Sequence, residues 1–111
     1  MAERATATLA SPDRRLLLAD LILAECVYVL ESFYEVERAR VAELMRAAIA
    51  LPSIVVIDER LVLRSLEIYE TDRLDFAEAY LVANAEATGV QTVVSFDRAI
   101  DRIATVERIE P

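Results

Sequence analysis

Histidine and lysine are absent from this chain of 111 residues, cysteine and glycine occur once each, and proline occurs three times. Without histidine, Ser-His-Asp and Cys-His catalysis are excluded together with the usual zinc ligands, so any chemistry has to run on carboxylates. A single cysteine excludes a disulfide within the chain. Cys26 lies inside the apolar run LILAECVYVL, where it reads as a small buried hydrophobe rather than a reactive thiol. The shortage of glycine and proline leaves long unbroken segments, which favour helix over turn-rich β structure. No run approaches the ~18 consecutive apolar residues of a membrane span, because charges interrupt every hydrophobic segment. The opening MAERATATLASPDRR carries the acidic Glu3 and no apolar core of signal-peptide type. The expectation is a cytoplasmic protein with no membrane association.

What is present is mostly apolar. Hydrophobic residues make up 56% of the chain, and the length suits one domain, 1–111, with a single core. Twenty acidic residues stand against twelve basic ones, all arginine, for a net charge of -8. That balance opposes non-specific capture of a nucleic-acid backbone. Arginine without lysine suits bidentate contacts to phosphate or carboxylate, although a GC-rich genome produces the same bias.

Strands and helices alternate along the sequence. AERATATLA is helix-compatible and is broken by Ser11-Pro12-Asp13. Arg15 to Leu18 reads as a short buried strand, and Asp20 is placed to cap the next helix. That helix, LILAECVYVLESFY, is apolar on nearly every side, the pattern of an interior helix, and Glu25 sits in its middle. The segment EVERARVAELMRAAIAL is amphipathic, with Val36, Val41, Leu44, Met45 and Ala48 on one stripe, and Pro52 stops it. The two predict a helical hairpin. Ser53 to Ile57 reads as a strand, followed by Asp58 and a helix carrying Leu61, Val62, Leu66 and Tyr69. Asp75 starts the helix FAEAYLVANAEAT, and Gly89 stands where a left-handed C-cap belongs. Val90 to Ser95 is the clearest strand. A helical turn, DRAIDRI, and a terminal VERIEP that could add an edge strand complete the chain. Such alternation implies an α/β fold whose parallel sheet is covered on both faces.

Three carboxylates stand out by their surroundings. Glu25, in the most apolar helix, would be protonated, paired with an arginine at the helix margin, or bound to a metal. Glu78 follows Asp75 by three, the spacing of a capping box, so taken alone it favours a structural role. Asp97 follows the last strong strand directly, at the end where open α/β sheets place their ligands, and could equally cap the turn RAIDRI. Gathered at one end of a small domain, such carboxylates repel one another without a cation. Oxygen ligands of this kind suit Mg²⁺ or Mn²⁺, which polarise phosphoryl oxygens, and the corresponding chemistry is phosphodiester hydrolysis.

The segments ADLILAECVYVLES, LDFAEAYLVANAEATGV and VVSFDRAIDRI resemble, in order and spacing, the successive signatures of VapC-type PIN domains, and VERIEP resembles the closing strand common in that family. The resemblance covers nearly the whole chain. It implies a three-layer α/β/α fold with a central parallel sheet and a metal-dependent endoribonuclease toxin. Such toxins are usually homodimers, neutralised by a cognate antitoxin that covers the active site. Position by position, Glu25 matches the family's helical glutamate, Glu78 its third acidic position and Asp97 its fourth. These three are implied to hold one or two Mg²⁺ ions for hydrolysis of RNA. Asp75 and Asp101 are auxiliary candidates, and Arg98 and Arg102 are candidate RNA contacts.

The chain departs from the pattern in three ways. The family's opening strand, a hydrophobic run into Asp-Thr-Asn that supplies the first acidic ligand, has no counterpart, and AERATATLA resembles the helix after it. The expectation is a chain that begins past that strand and has weak or no nuclease activity. Glu78 stands where Asp is usual, and the extra methylene displaces the carboxylate by more than about an ångström, enough to disturb a catalytic geometry. After Asp97 the sequence reads RAID where an acidic residue usually comes sooner, which makes Asp101 a weak substitute. Against the nuclease stands a non-catalytic binding module on the same scaffold. A phospho-acceptor domain, also built on clustered carboxylates, lacks both a lysine for the phosphoryl group and an early acidic pair.

Overall fold

The computed structural model describes residues 13–111, so the expected opening helix over AERATATLA lies outside the described residues. The described residues form two compact units, divided between Glu59 and Arg60.

In the first unit the order is β1 (Leu16–Leu17), α1 (Asp20–Ser32), α2 (Arg38–Ile49) and β2 (Ile54–Val55). The strands pair in parallel, Leu16 opposite Ile54 and Leu17 opposite Val55. Leu16 N–H donates to Ser53 O at 2.7 Å and Leu18 N–H to Val55 O at 2.8 Å. Both expected strands are therefore present but shorter. Parallel strands need a long crossover, which α1 and α2 supply by packing on each other as the expected hairpin.

Two expectations about α1 need correction. Asp20 is the first residue of the helix and Ala19 its N-cap, with no side-chain capping bond; the carboxylate of Asp20 instead lies in the first turn, where the helix dipole favours negative charge. The helix is also not interior all round. Leu23 and Val27 are buried, while Leu21 is 81% and Tyr28 62% exposed. In α2, Val41 and Met45 are buried as the stripe predicts, joined by Ala42 and Ile49, with Leu44 and Ala48 half-buried; Val36, also half-buried, lies before the helix begins. The chain leaves α1 through a turn in which Val36 N–H reaches back to Leu30 O at 3.0 Å and Glu35 takes a left-handed φ of 52°.

The second unit begins within α3 (Glu59–Thr71) and continues with α4 (Phe76–Thr88), β3 (Thr92–Val94), a 3-10 turn (Arg98–Arg102) and β4 (Glu107–Ile109). Val62, Leu66 and Tyr69 of α3 are buried as their spacing predicts. The buried Ser65 satisfies its hydroxyl on Leu61 O at 2.8 Å. The Tyr69 ring meets the Phe76 edge with centroids 6.2 Å apart, and Phe76 stacks on Tyr80 at 6.3 Å. Asp75 is the N-cap of α4 and Gly89 its C-cap, at φ 73°. No atom lies close enough to meet a Cβ at Gly89, so the backbone conformation alone calls for glycine there.

The terminal strand β4 pairs in parallel with β3, Thr92 opposite Glu107, Val93 opposite Arg108 and Val94 opposite Ile109. Ser95 N–H extends this ladder by donating to Ile109 O at 3.0 Å. The architecture is the helix-rich α/β fold with parallel strands that the sequence predicts. Among the described residues its strands form two parallel pairs, one in each unit.

Candidate active site

Two candidate residues of the second unit, Glu78 and Asp97, meet at the carboxyl end of β3. Ser95, the residue after that strand, is only 8% exposed, and a buried hydroxyl has to use its hydrogen and its lone pairs. It donates to Glu78 Oε2 at 2.8 Å and accepts the Asp97 backbone N–H at 3.0 Å. One hydroxyl therefore ties Glu78, in the first turn of α4, to Asp97, at the head of the 3-10 turn.

This arrangement decides what the spacing left open for Glu78. Asp75 occupies the N-cap position but makes no side-chain capping bond, and Glu78 turns to Ser95 rather than back to the cap. For Asp97 the structural role is real: its Oδ1 accepts Ala99 N–H at 2.9 Å and caps the 3-10 turn. Neither role consumes the whole carboxylate. Among the described residues no hydrogen bond reaches Glu78 Oε1 or Asp97 Oδ2.

Behind the pair stands Arg108, whose side chain is 10% exposed. Its Nε and Nη2 donate to Asp101 Oδ1 and Oδ2 at 2.9 and 3.1 Å. Its Nη1 donates to Ser95 O at 3.1 Å and to Glu110 Oε1 at 3.2 Å. The hydrogen bonds from Arg108 hold the Asp101 carboxyl below its usual range, and Asp101 in turn raises the guanidinium. With both oxygens on Arg108, Asp101 serves that guanidinium. Asp75 is exposed at the start of α4. Arg98 and Arg102 lie on the 3-10 turn that Asp97 caps. Arg98 is 85% exposed, with Glu110 Oε1 at 3.9 Å, and Arg102 Nε donates to Ala99 O at 3.3 Å.

Glu25 belongs to the first unit and lies on the exposed side of α1. Its carboxylate is neither interior nor paired with an arginine among the described residues. It stands at the rim of an apolar cavity of about 430 Å³ lined by Cys26, Val29, Leu30 and Met45.

The donor set at β3 is all oxygen: two carboxylates that each keep one uncommitted atom. A hard divalent cation is commonly held by one or two carboxylates, with water and substrate phosphate completing the shell, so Glu78 and Asp97 fit such an ion. Among the described residues no group of three or more acidic or thiol side chains gathers as a metal site. Sequence reading missed Ser95 and Arg108. The signal for Ser95 was a small hydroxyl residue two before Asp97 at a strand end; no comparable signal marks Arg108.

A carboxylate pair at the carboxyl end of a parallel strand, in a helix-rich α/β chain, defines a class of acid-rich α/β domains suited to divalent metals. The sequence profile of the PIN domain matches residues 1–106, and the chain belongs to the PIN domain family. PIN domains are typically metal-dependent nucleases that bind divalent ions. A search of curated proteins found no match. No helix among the described residues is long and apolar enough to cross a membrane.

Proposed function

We propose that this chain is a metal-dependent endoribonuclease of the toxin type, acting in the cytoplasm, with Glu78 and Asp97 as ligands of Mg²⁺ or Mn²⁺. The observation that carries the reading is the convergence of Glu78 and Asp97 on Ser95 at the end of β3, in a member of a nuclease family. A bound divalent ion would supply positive charge to polarise an RNA phosphoryl oxygen. The protein's own part is to hold the two carboxylates in place through Ser95, and to offer Arg98 and Arg102, on the turn that Asp97 caps, to flanking phosphates. Because the net charge is -8, RNA binding rests on this local pair rather than on the whole-protein field. The exposed apolar residues Leu21, Ile22 and Tyr28 on α1 support a protein-covered surface, in keeping with a cognate antitoxin or a homodimer.

A second reading, a non-catalytic protein-binding module on the PIN scaffold, is favoured by the lack of a third acidic residue gathered with the pair among the described residues. Calorimetric titration with Mg²⁺ and Mn²⁺, beside an RNA cleavage assay, separates the two. The nuclease reading predicts metal binding and metal-dependent cleavage by the native chain, both lost in Glu78→Gln and Asp97→Asn. A folded native chain that binds neither ion and leaves RNA intact would overturn it in favour of the scaffold.

A further inference from the structure

We infer that Arg108 is a positioning residue for the Glu78–Asp97 pair, acting by closing both ends of the loop that carries Asp97. Its importance for metal binding rests on the nuclease reading above; its effect on the loop does not.

The loop leaves β3 at Ser95, passes through Asp97 and runs into the 3-10 turn that contains Asp101. Beyond Ser95, whose N–H is paired with Ile109 O, no long helix or strand pairing holds this short stretch before the 3-10 turn, and Phe96 within it is exposed. A single guanidinium spans it. Nη1 fixes the entrance through Ser95 O, while Nε and Nη2 fix the exit through both oxygens of Asp101. The same Ser95 orients Glu78 and Asp97 through its hydroxyl. Displacing Ser95 would therefore move both carboxylates at once. The 3-10 turn depends on Asp97 Oδ1 for its cap, so freeing Asp101 loosens the turn and the Asp97 carboxyl together.

Arg108 can do this because β4 aims it. It lies opposite Val93 in the parallel register, with Ile109 O accepting Ser95 N–H from the next residue. The planar fork of arginine suits a bidentate carboxylate with a carbonyl to one side. Lysine, with one nitrogen, cannot hold Asp101 bidentately and Ser95 O in the same geometry. Charge alone is therefore not the function of this residue, and a charge-conserving substitution discriminates.

The test is amide hydrogen exchange on the metal-free chain, comparing native protein with Arg108→Lys, Asp101→Asn and, as a control for disturbing β4, Glu107→Ala. The expected result is exchange faster by about tenfold or more at Asp97 and Ala99 in Arg108→Lys, as local opening of the loop becomes easier. A smaller rise is expected in Asp101→Asn and none in Glu107→Ala, with Val82 and Ala83 of α4 unchanged. Equal rates at Asp97 and Ala99 in native, Arg108→Lys and Asp101→Asn chains would overturn the inference. If Arg108→Lys also frees Val82 and Ala83, Asp101→Asn, which leaves the arginine in place, decides by the same criterion. Mn²⁺ calorimetry on the same proteins should then show affinity about tenfold lower or worse in Arg108→Lys. Absence of Mn²⁺ binding by the native chain counts against the metal reading, while the exchange rates still decide the positioning role.

Discussion

Replacing Ser95 with alanine removes the one hydroxyl on which the two carboxylates meet, and its cost can be worked from the hydrogen bonds it makes. The bond to Glu78 Oε2 at 2.8 Å engages a carboxylate, and hydrogen bonds to charged groups contribute about 1.5–3 kcal/mol net. The bond from Asp97 N–H at 3.0 Å is neutral and worth roughly 1 kcal/mol. Glu78 is only half-buried, so water recovers part of the first loss, while the Asp97 N–H loses its acceptor. The expected net destabilisation is about 2 kcal/mol, which lowers Tm by on the order of 10 °C for a chain of this size. Urea unfolding of the native protein, Ser95→Ala and Ser95→Thr measures it, with threonine keeping the hydroxyl and most of the stability. In a double-mutant cycle with Glu78→Gln the two substitutions should be non-additive by about 1 kcal/mol. A loss below about 0.5 kcal/mol in Ser95→Ala, or strict additivity with Glu78→Gln, would refute the claim that this hydroxyl organises the pair.

Two further outcomes are expected. Glu86 accepts Arg64 Nε at 2.7 Å and Nη2 at 2.9 Å, together with the Thr105 hydroxyl at 2.7 Å, and the Arg64 hydrogen bonds hold its carboxyl below the usual glutamate range. A depressed folded-state pKa means the stabilisation is fully present above the unfolded-state value and is lost as pH falls through the folded one. Glu86→Gln should therefore cost roughly 1 kcal/mol near neutrality, discounted for the partly exposed Arg64, and the difference from native protein should vanish in acid denaturation series; a constant difference at all pH values would contradict it. Charge reversal at Arg98 or Arg102 should weaken RNA binding and flatten its salt dependence by a slope of about 0.7 for each phosphate that is no longer neutralised, and RNA affinity unchanged by both reversals would remove the local arginine patch.

The second unit was largely legible because its signals are local. Gly89 ends α4 as the capping rules require, Asp75 takes its N-cap position although without a side-chain capping bond, and the stripe Val62, Leu66 and Tyr69 is buried in α3. The β-branched run Thr92, Val93 and Val94 also located β3, although pairing confines the strand to Thr92–Val94. The first unit was read less well for a physical reason. When a helix is apolar on every side, its hydropathy does not say which stripe is covered. In α1 Leu23 and Val27 are buried while Leu21, Ile22 and Tyr28 are not, and Glu25 goes with the exposed set. The reach of Arg108 was invisible for another reason. Its partners lie seven residues before it, at Asp101, and thirteen before it, at Ser95, and only the parallel pairing of β4 with β3 brings them together.

The carboxylates also show why setting a structural role against a functional one misleads when only the sequence is in hand. For Asp97 the two are not alternatives: the oxygen that caps the 3-10 turn fixes the carboxyl group, and fixing it is what holds the second oxygen in a defined place. Glu78 behaves in the same way, one oxygen on Ser95 and the other uncommitted. A carboxylate with no structural bond would sample several rotamers and lose entropy on taking up a cation; one whose two oxygens both hold a guanidinium, as those of Asp101 hold Arg108, already has its charge balanced by a cation. The half-committed state suits a ligand best, because its orientation is set before the ion arrives. By that criterion Glu78 and Asp97 qualify, and Asp101 serves the guanidinium that keeps them in place.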